Sequence, residues 1–434
     1  VQYNETMSKW LGVAVVAALA SGCSSNNGAF VCDPANATNQ CNGGPGGMCE
    51  SNGFCSFSDP SCPSMKRYGD LSGGVSGMCV GQEQRPVVDA AIDTQEIDAP
   101  RTCFGGSFLT ICLQSAPMTP LTISAVTSID TENPQMCAQV TSGGNGLCVI
   151  AATTISVEAT LRATGTKPLV LIARDSITIA ATGLIDVASR RGVTPEIGAG
   201  GDPPTCDAGT GPKSAGGTNG GGAGGSFTGL GGKGGKGGGA GGGDGGLPGT
   251  AVTTITELRG GCAGQIGQGA GAAKGAAGHG GGAVYLIAGG TINVIGAIAA
   301  SGEGGGHGVS GEAGGGGGGA GGMIGFDAQT ITGIGLILAN GGGGGEASGT
   351  NAPGGMDGKD PTLIAAALGG TGGSLSGGDG GNGAAGVAAG PGADGANGAA
   401  AQSGGGGGGG GGAGLIKAPA TATLGAMVSP LATP

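Results

Sequence analysis

Aromatic residues make up only 3% of this 434-residue chain, with a single tryptophan. A thick globular core built on large rings is therefore excluded. Histidine occurs twice, as His279 and His307, and both stand among glycines. A histidine-centred catalytic set or zinc cluster has little to draw on, and both are read as solvated side chains. Positive charge is sparse as well. The 17 lysines and arginines face 28 acidic residues, for a net charge of −11. Nucleic-acid binding through phosphate contacts is excluded on that ground. Long apolar runs are also missing. The run from Leu11 to Ala20 has about ten residues, half of the roughly 20 that a membrane-spanning helix takes.

Glycine is what abounds, at 112 residues, concentrated after Gly198. The hydrophobic fraction is still 38%, carried mainly by Ala, Val, Ile and Leu. Such a composition suits a thin core of repeated small aliphatics. The 13 cysteines point to an oxidising compartment.

Met7 and Lys9, the apolar run and Ser21-Gly22-Cys23 read as a secretory signal over residues 1–22. Leu19-Ala20-Ser21-Gly22-Cys23 resembles the bacterial lipobox, with alanine where leucine is commoner. The resemblance implies lipidation of Cys23 and a membrane held through acyl chains. Ser24 and Ser25 stand where an inner-membrane retention aspartate would be, which implies the outer membrane.

Setting Cys23 aside leaves twelve cysteines. Cys32, Cys41, Cys49, Cys55, Cys62 and Cys79 crowd a segment poor in large apolar residues, so disulfides must hold a module at 23–80. Six cysteines allow 15 pairings, and sequence does not choose among them. The run from Gly47 to Val80 resembles a module of myxobacterial and related soil-bacterial lipoproteins; the resemblance assigns no activity. Residues 81–101 bring Asp89, Asp93, Glu96 and Asp98 together with prolines and read as a flexible acidic linker.

Within 102–434, five segments superimpose, starting at Gly146, Pro168, Gly282, Gly322 and Gly414. Each alternates apolar and polar residues, breaks, alternates again and ends in glycine. Period-two alternation predicts strands with one buried face. The fold expected is all-β: a parallel β-solenoid (β-helix) with long glycine-rich inserts, behind a small disulfide-rich N-terminal module. Its aliphatic columns are Leu147/Leu169/Val284/Ile324, Val149/Leu171/Leu286/Phe326, Ile155/Ile177/Ile292/Ile331/Ala422, Val157/Ile179/Val294/Gly333/Leu424 and Leu161/Ile185/Ile298/Ile337. The alternating polar pairs should point outward: Thr154 with Ser156, Ser176 with Thr178, Thr291 with Asn293, Thr330 with Thr332, and Thr421 with Thr423. Stacked threonines suit a solvated β face. The outward Thr-x-Thr pattern also looks like that of β-solenoid antifreeze proteins. The rungs resemble the β-helix repeats of filamentous haemagglutinins and autotransporter passengers.

The inserts span 193–281, 303–321 and 341–413. They read either as disordered or as extended left-handed helices with three residues per turn. Gly377, Gly380, Gly383, Gly386, Gly392, Gly395 and Gly398 keep a period of three that only Ala389 interrupts. That segment resembles the repeats of mycobacterial PGRS proteins. Cys206 and Cys262 bracket the glycine-richest stretch and are expected to pair. Cys103 with Cys112, and Cys137 with Cys148, suit local loops in a region that caps the first rung.

Active-site signals are weak. Gly-x-Gly-x-x-Gly carries no information at this glycine content, and Gly232-Lys233 and Gly235-Lys236 lack the Ser or Thr of a phosphate loop. Asp175, Asp186 and Glu158 fall in different columns, and Arg190 with Arg191 is a candidate for an acidic sugar. No cofactor is expected; structural calcium is the one that Asp202, Asp244, Asp357, Asp379 and Asp394 would admit. The reading is a non-enzymatic, adhesin-like lipoprotein of the outer membrane, with extracellular glycans or matrix as partners and no nucleic acid. The alternatives are a carbohydrate-active β-helix enzyme and a calcium- or glycan-binding surface module.

Overall fold

The computed structural model describes residues 25–26, 29–81, 102–106, 108–192, 194–215, 218–270, 273–350 and 354–434. Cys23, the signal segment and most of the linker lie outside them. The chain divides into two compact units at residues 99 and 100. Nearly all regular structure is strand; the described α-helix, Ala37–Gln40, has four residues.

The first unit is small and bridged. Three antiparallel strands, Met48–Cys49, Cys55–Ser58 and Lys66–Tyr68, form its sheet. Disulfides join Cys32 to Cys49, Cys41 to Cys55 and Cys62 to Cys79. Cys32, Cys41 and Cys55 are its buried centre, with Phe30 and Phe57 against them. The sulfurs thus take the place of an aliphatic core that the segment lacks.

The second unit holds two all-parallel sheets, one of nine strands and one of six. Each pass of the chain gives one stretch to the first sheet and then one to the second. Cys148–Val157, Leu169–Ile179, Ala283–Ala288 with Thr291–Val294, Met323–Asp327 with Thr330–Gly333, and Leu415–Lys417 with Thr423–Leu424 follow in chain order across the first. Thr160–Thr164, Leu184–Asp186, Ala297–Ala299, Leu336–Leu338 and Val428–Ser429 do so across the second. The inward residues of both sheets share one core, including Ile155, Ile177, Ile292, Leu161, Ile185 and Ile298. Each fully buried aliphatic there contributes about 1.5–3 kcal/mol.

The register agrees with the expected columns except in the first rung. Cys148, not Leu147, lies opposite Leu169, and Ile150, not Val149, lies opposite Leu171. The slip has a local cause. The pairing shifts between Ala152 and Thr154, where Arg174 and Asp175 face the single Thr153. A β-bulge of this kind moves every residue upstream of it by one position. An earlier rung also exists. Leu121–Ile123 pairs with Ile155–Val157, and Thr127–Asp130 pairs with 161–164. Of the region expected to cap the first full rung, Leu121–Ile123 and Thr127–Asp130 cover its edge, whereas the antiparallel strands Cys103–Gly105, Thr110–Leu113 and Val140–Ser142 lie elsewhere. Phe104, Ile111 and Leu113 pack with Val149, Val170, Tyr285 and Met323, so they cover the outer face of the first sheet.

The inserts are ordered, which settles the choice between disorder and extended helices for the described residues. Segment 404–413 sits at their centre. Gly406, Gly409 and Gly412 donate to Asn219, Gly222 and Gly225; Gly405, Gly408 and Gly411 donate to Ser348, Gly345 and Gly342; Gly407, Gly410 and Ala413 donate to Ala396, Ala393 and Gly390, all at 2.8–2.9 Å. Three further segments donate back to it, through Gly315 and Gly318, Gly232 and Gly235, and Gly378 and Gly381. Every third residue points to the same neighbour, as a helix of three residues per turn requires. Six such segments surround the central one. A Cβ on Gly408 would stand 1.9 Å from the Gly316 carbonyl oxygen, which forbids any side chain there. Segment 391–399 lies at the rim, and there glycine recurs only at every third residue while Ala393 and Asp394 face solvent. Ala389, the break in that period, adopts a positive φ of 54° in the turn between two segments.

Candidate functional site

The chemically richest place is where the second sheet ends and the glycine segments begin. Strand pairing puts Arg162 opposite Asp186 on the outer face of that sheet. Their side chains meet at 3.0 Å, and Arg190 closes on the second oxygen of Asp186, which is fully buried. Arg162 also reaches Glu196 at 3.2 Å. Asp186 is therefore held between two guanidinium groups, an arrangement that compensates the cost of burying it.

The next residue, Arg191, anchors a second network. Its guanidinium lies 3.0 Å from the buried Glu303 and donates to the Gly304 carbonyl, and its backbone N–H donates to Asp360. Glu303 also accepts the backbone N–H of His279 at 3.1 Å. Burial pushes the Glu303 carboxyl above its ordinary range, with Arg191 pulling the other way. Asp360 is likewise raised by burial, against the N–H groups of Gly304 and Arg191. His279 Nδ1 meets Asp202 at 2.6 Å, and this hydrogen bond raises the imidazole pKa against the opposing effect of burial.

His279 is thus tied to a carboxylate, a partner that its glycine surroundings did not reveal, while about a third of its side chain stays exposed to solvent. His307 repeats the arrangement, with Nδ1 2.6 Å from Asp357. Burial acts to raise the Asp357 carboxyl, but the hydrogen bonds from His307 outweigh it and leave it lowered. Arg190 and Arg191 are each bound to a carboxylate of the chain itself; Arg191 is largely buried, whereas half of the Arg190 side chain stays exposed. A groove of 430 Å³ runs beside Arg190 and Asp360 over Leu184, Ala297 and Leu336. Sequence reasoning missed Arg162, Glu303 and Asp360, which are far apart in the chain. Only the in-register stacking brings them together.

The expected calcium carboxylates do not converge. Asp202 and Asp357 serve the histidines, Asp394 accepts the Lys233 N–H at 2.7 Å, and Asp244 lies 3.7 Å from Lys236. Among the described residues, the one group of three metal-ligating side chains is Cys32, Cys41 and Cys55, whose sulfurs are already in disulfides. Glu346 is buried and accepts the N–H groups of Met356, Gly373 and Ser374, so it closes turns of the lattice.

The polar ladder forms two columns in register. Thr154, Ser176, Thr291 and Thr330 make one; Ser156, Thr178, Asn293, Thr332 and Thr423 make the other. Thr122 extends the second column by one rung. Thr421 lies in the turn ahead of its strand and is exposed. Asp175 pairs with its neighbour Arg174, and Glu158 accepts from Ser156. Three further disulfides join Cys103 to Cys112, Cys137 to Cys148 and Cys206 to Cys262. Among the described residues no helix is long and apolar enough to cross a membrane. No family model matches this chain, and no curated protein or solved structure shows significant similarity to it.

Proposed function

We propose that the chain is a lipid-anchored envelope protein with a structural or adhesive role and no catalytic one. Its body is read as a parallel β-solenoid that carries a polyglycine lattice, displayed beyond an acidic linker. Cys23 is the proposed lipidation site, and the outer membrane the proposed location. The observation that carries this reading is how the second unit uses its polar groups. The amides of the inserts bind one another, and the arginines, histidines and carboxylates at the sheet corner bind one another. Such a body is a rigid scaffold, and its ladder columns are neutral and regularly spaced, at about 4.8 Å per rung. That suits contact with glycans or matrix.

Two experiments test this. Cys23→Ser should move the protein from the detergent phase to the aqueous phase and abolish fatty-acid labelling; unchanged partitioning would refute the anchor. Purified protein should leave a panel of sugar polymers intact. Robust turnover would favour the carbohydrate-active alternative, with the groove beside Arg190 as the place to look.

A further inference from the structure

The Cys206–Cys262 disulfide differs from others in what surrounds its sulfurs. The Arg259 guanidinium donates to both, with Nη2 3.3 Å from Cys206 Sγ and 3.3 Å from Cys262 Sγ. Arg259 is only 7% exposed, lies 5.3 Å from the centre of the Phe227 ring, and has no carboxylate within ion-pair distance among the described residues. In three of the other bridges a sulfur faces a carbonyl oxygen instead. Cys32 Sγ lies 3.3 Å from Gly53 O, Cys137 Sγ 3.8 Å from Thr131 O, and Cys55 Sγ 3.9 Å from Gln40 O. A carbonyl dipole opposes a sulfur anion, whereas a buried guanidinium stabilises one.

We propose that Cys206–Cys262 is a thiol-exchange site primed by Arg259. The reactant is a thiolate, most simply one arm of a dithiol. It attacks Cys206 Sγ, the more accessible sulfur, since Cys262 is 3% exposed. A new S–S bond forms to Cys206, the Cys206–Cys262 bond breaks, and the electron pair leaves on Cys262 Sγ. Arg259 then holds a thiolate where it had no carboxylate within ion-pair distance among the described residues. The second thiol of the dithiol displaces Cys206, so the reagent is oxidised to its disulfide, the protein pair gains two electrons, and the thiol proton passes to Cys206 or solvent. A single thiolate stops instead at the mixed disulfide, which is a covalent link to the partner.

The exchange has a structural consequence. This disulfide closes a separation of 56 residues, whereas the other five close 9 to 17. Segments 219–226 and 229–238, both neighbours of the central glycine helix, lie inside that loop. Opening it removes the clamp on that side of the lattice.

The test uses the full chain under stepwise dithiothreitol near neutral pH, trapped with iodoacetamide and read peptide by peptide. Cys206 and Cys262 should be alkylated first, about tenfold faster than Cys137 and Cys148, because a leaving thiol of lower pKa departs faster. Arg259→Met should remove most of that advantage, and Arg259→Lys, which keeps the cation, should retain it. Simultaneous opening of all the bridges, or an Arg259→Met protein that exchanges as fast as the parent, would overturn the proposal. Should Arg259→Met fail to fold, the parent still decides. After limited reduction, the pH dependence of Cys262 alkylation should give a pKa below the ordinary value of about 8.5; a value at or above it would overturn the proposal.

Discussion

The two halves of the second unit are held by opposite means. In the parallel sheets, side chains carry the energy: Ile155, Ile177 and Ile292 stack in a column and shed water together. In the glycine lattice, side chains are what must be absent. Gly408 donates to Gly345 and accepts from Gly381, and no Cβ fits beside it. One region fails when a side chain is shortened, and the other when one is added. The comparison also gives glycine a readable meaning. A segment enclosed on all sides is pure glycine, one enclosed on two sides keeps two glycines in three, and a rim segment keeps one in three. Segments 404–412, 377–383 and 391–399 are respective examples.

The largest expected effect breaks the lattice at its centre. Gly408→Val should cost about 3 kcal/mol or more, because backbone atoms of neighbouring segments must separate. Chemical denaturation of the variant beside the parent checks this. Next comes the sheet core. Ile177→Ala should cost about 2–4 kcal/mol through the cavity it leaves. Ile177→Val should cost about 1 kcal/mol, so the loss scales with the volume removed. A steeper penalty for Val than for Ala at position 177 would mean that the column is not the source of stability.

A smaller effect concerns pH and the corner that joins the two regions. Glu303, Asp360 and His279 all have raised pKa values in the folded chain. A raised folded pKa favours folding below the unfolded value and loses that contribution as pH rises through the folded one. Asp357, where burial is outweighed by the hydrogen bonds from His307 and the pKa is lowered, acts in the opposite sense, losing stability as pH falls below the ordinary carboxylate range. Stability should therefore peak in mild acid, and the melting temperature should be a few degrees higher at pH 5 than at pH 8. Glu303→Gln should flatten the profile. The smallest effect is at the rim. Ala393→Leu should change stability by less than about 0.5 kcal/mol, since its side chain faces solvent.

Much of the sheet register was legible because alternation and β-branched residues repeat in step. The columns through Ile177, Ile179 and Ile185 needed only alignment of five short segments. The first rung slipped because a bulge leaves no mark in hydrophobic pattern: Arg174-Asp175 reads as one more polar pair. The Leu121–Asp130 rung was passed over because its two strands are short and follow a proline. In the lattice, the three-residue period was visible at 377–398, but the partners were not. A segment without side chains carries no label for its neighbour, and central and rim helices differ only in how many glycines they require. The charged corner was illegible for another reason: Arg191, Glu303 and Asp360 come from three different passes of the chain.

Hydrogen–deuterium exchange across 404–413 tests the central claim most directly. These amides belong to residues that sequence alone would let move freely, and each from Gly405 to Ala413 has a carbonyl partner on another segment. They should exchange as slowly as those of Leu169–Ile179 in the sheet. Exchange at the rate of an unstructured glycine peptide, with the sheet still protected, would contradict an ordered lattice.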